Sequence, residues 1–258
     1  MTLDLLAGAA RQAAATTDAE HRPWPLPEGP WSNAQSWLDL AFLHWRVDKD
    51  ALAKLVGRSV EIDLFDGEAW LGIVPFVLAD LRLRGVPPLP RVSTFPELNV
   101  RTYVTRDDKP GVWFFSLDAE SRLAVWGART FYHLPYFGAQ MSLAQEGMAI
   151  HYRSHRTHPD APPADFEASW KIGAKLSQSE PGSLEFFLTE RYCLYAAHRD
   201  RLYRCRIHHP SWPLQQASVS QLHSTMIEAH GLKTPAVAPL LHYAEALKVD
   251  IWPLRRIG

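Results

Sequence analysis

Four polar side chains spaced two residues apart, Glu97, Asn99, Arg101 and Tyr103, carry the sharpest chemical signal in the chain. In an extended strand every second residue points to the same side, so this spacing predicts one polar sheet face, with Leu98, Val100 and Val104 on the other. A carboxyl and a guanidinium two pleats apart can hold a polar group of a substrate, or pair with each other on a solvated face. The alternation fits either arrangement. A second concentration lies in Trp126 to Ala139, WGARTFYHLPYFGA, where Arg129, His133, Tyr136 and Phe137 crowd into nine positions. Such aromatic density around a proline suits the wall of a pocket. Tyr136 there is either a hydrogen-bond donor and acid or a core aromatic with a satisfied hydroxyl.

Other chemistries are disfavoured. The chain has no P-loop, GxGxxG run, GxSxG elbow, HExxH or CxxC pair, so the common phosphate, dinucleotide, nucleophile-elbow and zinc signatures are missing. His151, His155 and His158 fall on a strand that runs into a Pro-rich loop, a poor frame for three converging ligands, and no metal or other cofactor is expected. His208 and His209 are neighbours, and strand neighbours face opposite ways, so at most one serves a site. Cys193 and Cys205 are too few for a disulfide framework and are expected as thiols.

Many short strands with turn signals position these residues. An Ala-rich helix over about Leu3 to Ala15 and a Pro-rich arm, HRPWPLPEGP, are expected to precede one domain over 31–258. Trp37 to Val47 reads as a strand, followed by a helix capped by Asp48 and closed by Gly57. Asp66-Gly67 predicts a hairpin joining Val60–Leu64 to Trp70–Phe76. Lys109-Pro110-Gly111 predicts a turn into VWFFSLDA, and Ser121 the N-cap of the next helix. Further strands follow about a turn at Glu146-Gly147 and over Phe166 to Ile172, with a short helix at Ser183 to Leu188. A hairpin centred on Arg199 would put Cys193 opposite Cys205, and Gly231 should close a short helix before a last strand through Val249 to Trp252. The pattern favours a barrel or sandwich carrying a few helices.

At 258 residues, 47% hydrophobic and 21% charged, the chain can bury a sizeable core. A net charge of −1 with interspersed signs gives no stripe for nucleic acid and no polybasic cluster for a membrane. No apolar run approaches the roughly 20 residues that span a bilayer. The expected compartment is the cytoplasm and the expected partner a small molecule, with a homo-oligomer left open.

Two stretches carry a family resemblance. HWRVDKDALAKLVGRSVEID resembles the early strand and helix of acetoacetate decarboxylases over about twenty residues, and Arg129 with Pro135 resembles the segment bearing their Schiff-base lysine. Tyr136 and Phe137 stand where that lysine and its neighbour would be. The longer run from Trp37 to Pro213, with FDGEAWLGIVPF, FPELNVRTYV, GVWFFSLDA, GSLEFFLTERYCLY and HHPSWPL, is similar to the bacterial YqjF-like family. The resemblance implies an α+β protein, a mostly antiparallel β-barrel or cone of acetoacetate decarboxylase type with short flanking helices and an apolar internal cavity. It implies Arg46 and Glu97 as polar pocket residues, and places Gly72 where a second acid would stand. An imine needs an amine of lowered pKa, which neither Tyr nor Phe supplies. The site expected is therefore Glu97 as acid or base, Tyr136 as donor, and Arg46, Asn99, Arg101, Tyr103, Arg129 and His133 around a carboxylate or carbonyl ligand, with Glu97 ionised between Arg46 and Arg101. Two alternatives remain: a non-catalytic barrel, and an imine enzyme using Lys171 or Lys175.

Overall fold

A computed structural model describes residues 18–89 and 92–258. The helix expected over Leu3 to Ala15 lies outside the described residues. Thirteen strands form one sheet: β1 (Asn33–Val47), β2 (Glu61–Ile62), β3 (Ala69–Leu83), β4 (Phe95–Arg106), β5 (Lys109–Ala119), β6 (Tyr136–Glu146), β7 (Ala149–Arg156), β8 (Asp165–Lys175), β9 (Cys193–His198), β10 (Arg201–His208), β11 (Leu214–Ser224), β12 (Leu240–Ile251) and β13 (Arg255–Ile257). Among the described residues three short α-helices interrupt them, α1 (Lys49–Val56), α2 (Arg122–Phe131) and α3 (Leu184–Thr189), with a 3-10 turn over Glu228–His230 closed by Gly231. Each α-helix begins where a side chain satisfies a free backbone amide. Asp48, Ser121 and Ser183 accept hydrogen bonds from Ala51, Ala124 and Phe186, at 2.7, 3.3 and 3.2 Å.

The sheet closes twice. Strands β5, β6, β7, β8, β11, β12, β1, β3 and β4 form a nine-strand barrel, mostly antiparallel, in which only β5 and β6 run parallel. A second closed path leaves β5 through β9 and β10 and returns at β12, so β12, β1, β3, β4 and β5 serve both rings. Because strand residues alternate, the shared strands feed two cores. Leu43, Leu71, Leu98 and Val100 pack into the first with Tyr152, Phe166 and Trp170, whereas Phe42, Phe76, Phe95 and Leu117 face the second with Leu194, Ile207 and Trp212.

The turns refine the reading from sequence. Asp66 and Gly67 do turn, with φ of 50° and 80°, but close only the Phe65–Glu68 bridge, and β2 pairs with β4 instead of β3. The turn before β5 is Asp107-Asp108, at φ 52° and 54°, two residues ahead of the Lys-Pro-Gly run, which lies in the strand. A two-residue hairpin turn of this type, I′, has positive φ at both positions, which aspartate tolerates and proline cannot adopt. Arg199-Asp200 forms another such turn, so Cys193 pairs with Arg206 and Cys205 with Leu194. The register proposed for the cysteines is off by one, which sends the two side chains to opposite faces. Both are buried and free. The Pro-rich arm is pinned to the domain: Arg22 is buried over the Tyr192 ring at 4.4 Å and donates to the Ile207 carbonyl at 3.0 Å.

Candidate functional site

The seven-strand path is not filled. A cavity of about 420 Å³ remains inside it, within the usual range for small-molecule sites. Its walls are apolar, with Trp37, Leu40, Phe76, Phe95, Leu117 and Trp212 among the lining side chains. One strand supplies the polar groups: Glu97, Asn99 and Arg101 of β4 all line the cavity and all are buried. The face predicted from alternation is thus internal and is not a solvated surface.

Glu97 sits between Phe76 of β3 and Ala119 of β5 in the ladder. Its backbone carbonyl accepts from the Tyr152 hydroxyl at 2.8 Å, which braces the strand from the nine-strand side. Its carboxyl accepts from the Tyr136 hydroxyl at 2.9 Å. No guanidinium pairs with it among the described residues, contrary to the expectation of an acid held ionised between two arginines. Burial therefore dominates and raises its pKa to about 8, against the smaller opposing effect of the Tyr136 hydrogen bond, with the nearby Asp118 adding to the rise. Burial thus favours the protonated form of Glu97. Tyr136 stays neutral too, since burial and the adjacent carboxyl hold its pKa well above the phenol value. The Tyr136 proton is committed to Glu97, so the one proton this pair can turn toward the cavity is that of the Glu97 carboxyl.

Arg101 is the opposite case, a buried charge without a counter-charge. No carboxylate lies within salt-bridge distance of it among the described residues, and its Nε has no hydrogen-bond partner. Nη2 makes long contacts to the Leu188 carbonyl at 3.4 Å and the Tyr103 hydroxyl at 3.5 Å, and the guanidinium lies 5.4 Å from the Phe42 ring and 5.7 Å from the Tyr103 ring. Asn99, between them on the strand, also leaves Oδ1 buried and unpartnered. Native proteins rarely leave such groups unsatisfied, and here two of them stand on one strand facing one cavity.

Tyr103 does not line the cavity. It closes the end beyond Arg101, its hydroxyl donating to the Leu188 carbonyl at 2.8 Å and lying 2.6 Å from His44 Nε2. With the tyrosine proton on Leu188, His44 must donate from Nε2 and leave Nδ1 as a bare acceptor, unpartnered and buried. Burial and the neighbouring Arg101 charge keep this imidazole neutral. His44 was missed by sequence reasoning. The usable signal was Gly72 opposite it in register, where a Cβ would come 2.9 Å from the ring. The glycine standing at the expected second acid makes room for an imidazole.

Three expected ligand residues stand elsewhere. Arg46 shares the Phe42 and His44 face of β1, yet it lies past the Tyr103 floor, exposed, with its guanidinium 5.4 Å from the Trp70 ring. The face was right and the height along the strand wrong. Arg129 is exposed and donates to the Tyr136 carbonyl at 2.7 Å, so it holds the backbone of the donor and meets no cavity ligand. His133, at φ 53°, stacks on His198 at 4.1 Å outside the cavity. Lys171 and Lys175 are exposed on β8, and no lysine is among the described residues lining the cavity.

A closed, mostly antiparallel nine-strand barrel with few helices is the acetoacetate decarboxylase-like fold. The chain is similar to an enduracididine biosynthesis enzyme, MppR, complexed with pyruvate (TM-score 0.62, 10% identity, 93% of each chain). It is likewise similar to an acetoacetate decarboxylase-like enzyme from Sphingomonas wittichii RW1 (TM-score 0.60, 12% identity, 94% of this chain and 99% of that one). The acetoacetate decarboxylase of Legionella pneumophila gives a TM-score of 0.56 at 12% identity, over 93% of each chain. At these identities the likeness concerns the fold. The chain itself belongs to the DUF2071 family of uncharacterized conserved proteins, whose profile matches residues 34–248. It is 46% identical over 231 residues to the uncharacterized protein YqjF of Bacillus subtilis (strain 168), covering 90% of this chain and 95% of that protein.

Proposed function

We propose that the cavity binds an organic acid or carbonyl compound, its anionic group on Arg101 and its carbonyl oxygen on the proton of Glu97, whose carboxyl the Tyr136 hydroxyl holds in place. The observation that carries this is Arg101, a buried guanidinium with no carboxylate partner facing an apolar cavity. A desolvated charge is costly unless a counter-charge joins it, and a ligand carboxylate would take the bidentate geometry that guanidinium offers. A neutral Glu97 is suited to protonate or polarise a carbonyl oxygen, and any turnover proceeds by proton donation at that oxygen, without an imine. The pyruvate held by the MppR neighbour is a keto acid of this class.

Ligand-shift melting and calorimetry over matched keto acids, simple carboxylates and their neutral amides test the reading. Acids should stabilise the protein and amides should not, and Arg101→Met should abolish the difference. Equal response to acid and amide would take charge reading away from Arg101. No response to any member would leave a barrel kept as a scaffold. Incubation with borohydride and a keto acid should leave the protein mass unchanged, and a stable adduct would restore the imine alternative. Two cysteines are too few for the disulfide framework of an oxidising compartment, and the cytoplasm stays part of the proposal on that ground.

A further inference from the structure

Large apolar side chains are seldom left in water in quantity on one spot. Here seven of the eleven that are exposed among the described residues stand together at the mouth of this one cavity. Leu83 ends β3, Val86, Leu89 and Val92 come from the connection between β3 and β4, and Leu123, Trp126 and Phe131 stand on α2 on the other side. Trp126 is 59% exposed and Phe131 63%, with the two rings edge to face at 5.8 Å. α2 buries Val125 and rests Ala124 and Ala128 on the core, so its outward face is apolar as well as its inward one. Between these walls Gly127 lines the opening, and a Cβ built on it would meet nothing within 4 Å.

The rim and the polar ladder belong to one continuous space. β4 begins at Phe95 beside the rim and reaches Arg101 at the floor, a rise of six residues or about 20 Å at ~3.3 Å each. A ligand the size of pyruvate would occupy the floor and leave the upper walls and the rim uncovered.

We infer that the ligand is an amphiphile, a carboxylate whose long or bulky apolar body runs up the cavity and leaves between α2 and the β3–β4 connection, where it covers the exposed rim. This rests on the carboxylate reading of Arg101 and extends it to a substrate class. The head finds a counter-charge at Arg101. The body buries apolar walls, and each methylene moved out of water should tighten binding. The gap at Gly127 is the passage.

The test is calorimetry of the full chain with straight-chain carboxylates from four to fourteen carbons, each below its micelle concentration. Wild type should tighten two- to fourfold per methylene up to chains long enough to reach the rim. Gly127→Leu, which fills open space in the mouth, should bind the shortest acids as wild type does and flatten that climb. Trp126→Ser removes an exposed face of the rim without touching the core and should weaken only the longer acids. Affinity that levels off at short acids in wild type, with both variants indistinguishable from it, overturns the amphiphile and leaves the small-acid reading standing. Failure of every acid, short or long, overturns the carboxylate reading and this inference with it. Sedimentation showing a dimer that Trp126→Glu dissolves, together with length-independent affinity, would assign the rim to a second copy and overturn the inference.

Discussion

The two rings share five strands and are filled in opposite ways. On one side of β4, Leu98 and Val100 join Tyr152, Phe166 and Trp170, all at most 1% exposed, in a packed interior. On the other side Glu97, Asn99 and Arg101 meet a void with unpaired polar atoms. The buried ion pair on the packed side is fully satisfied: Arg156 donates to both oxygens of Asp118, at 2.7 and 2.9 Å. The cavity side leaves its arginine without an acid. The packed side has unpartnered atoms of its own, Trp170 Nε1 and Ser154 Oγ, but they are neutral; what sets the cavity side apart is an unpaired buried charge beside a void.

The contrast breaks most visibly at Trp170. Trp170→Ala opens a hole in the nine-strand interior and should cost about 3 to 5 kcal/mol, measured by urea unfolding. Ligand affinity of the fraction that stays folded should be unchanged. A loss near 1 kcal/mol would mean that this ring is as loose as its neighbour.

Glu97→Gln sharpens the comparison through pH. In the fold Glu97 titrates at about 8 and in the unfolded chain near the ordinary carboxyl value of 4.5, so between those limits the folded state holds a proton that the unfolded state has released. Its contribution to stability is therefore intact at acid pH and lost as pH rises toward 8, at up to about 1.4 kcal/mol per pH unit. The glutamine keeps the Tyr136 hydrogen bond and has no proton to lose. Melts from pH 5 to 9 should show the wild type falling relative to the variant, and parallel curves would mean that Glu97 is ionised in the fold.

Much of this was legible in the sequence because it is local. The caps at Asp48, Ser121 and Ser183, the alternation of β4 and the Glu146-Gly147 turn each depend on a few consecutive residues. What was hidden depends on closure. Nothing near residue 97 says whether its sheet face looks into a ring or into water, because the pairings of β5 with β9 and β10 with β12 join segments about eighty and forty residues apart. Arg46 shows the same limit, since alternation assigns a face but not where the floor crosses the strand. The cysteine register turned on one residue of turn length, which no composition cue at Arg199 and Asp200 decides.

Arg101→Met is expected to be gained stability and lost function. Methionine matches the length of the side chain and removes an uncompensated buried charge, so the variant should melt at or above wild type by the equivalent of about 1 kcal/mol or more. Carboxylate affinity should fall ten- to a hundredfold, the worth of a charge-assisted hydrogen bond. Destabilisation together with undiminished binding would make Arg101 a structural brace for the Leu188 carbonyl.

The smallest change is Gly127→Ala. A glycine inside a helix costs about 1 kcal/mol relative to alanine, because it gives up more backbone freedom on folding. Such a residue is usually kept for close packing or for a left-handed backbone. Neither applies at 127: its φ is not among the positive values, and the position of its missing Cβ is empty space to 4 Å. The alanine should therefore raise stability by up to about 1 kcal/mol, read as a small upward shift in Tm. The methyl group stands in the mouth, so the longest acids should weaken slightly while short ones do not. A gain in stability with no change for any ligand would mean that the cavity is entered elsewhere, and the two rings would then differ in packing while the rim lost its part in binding.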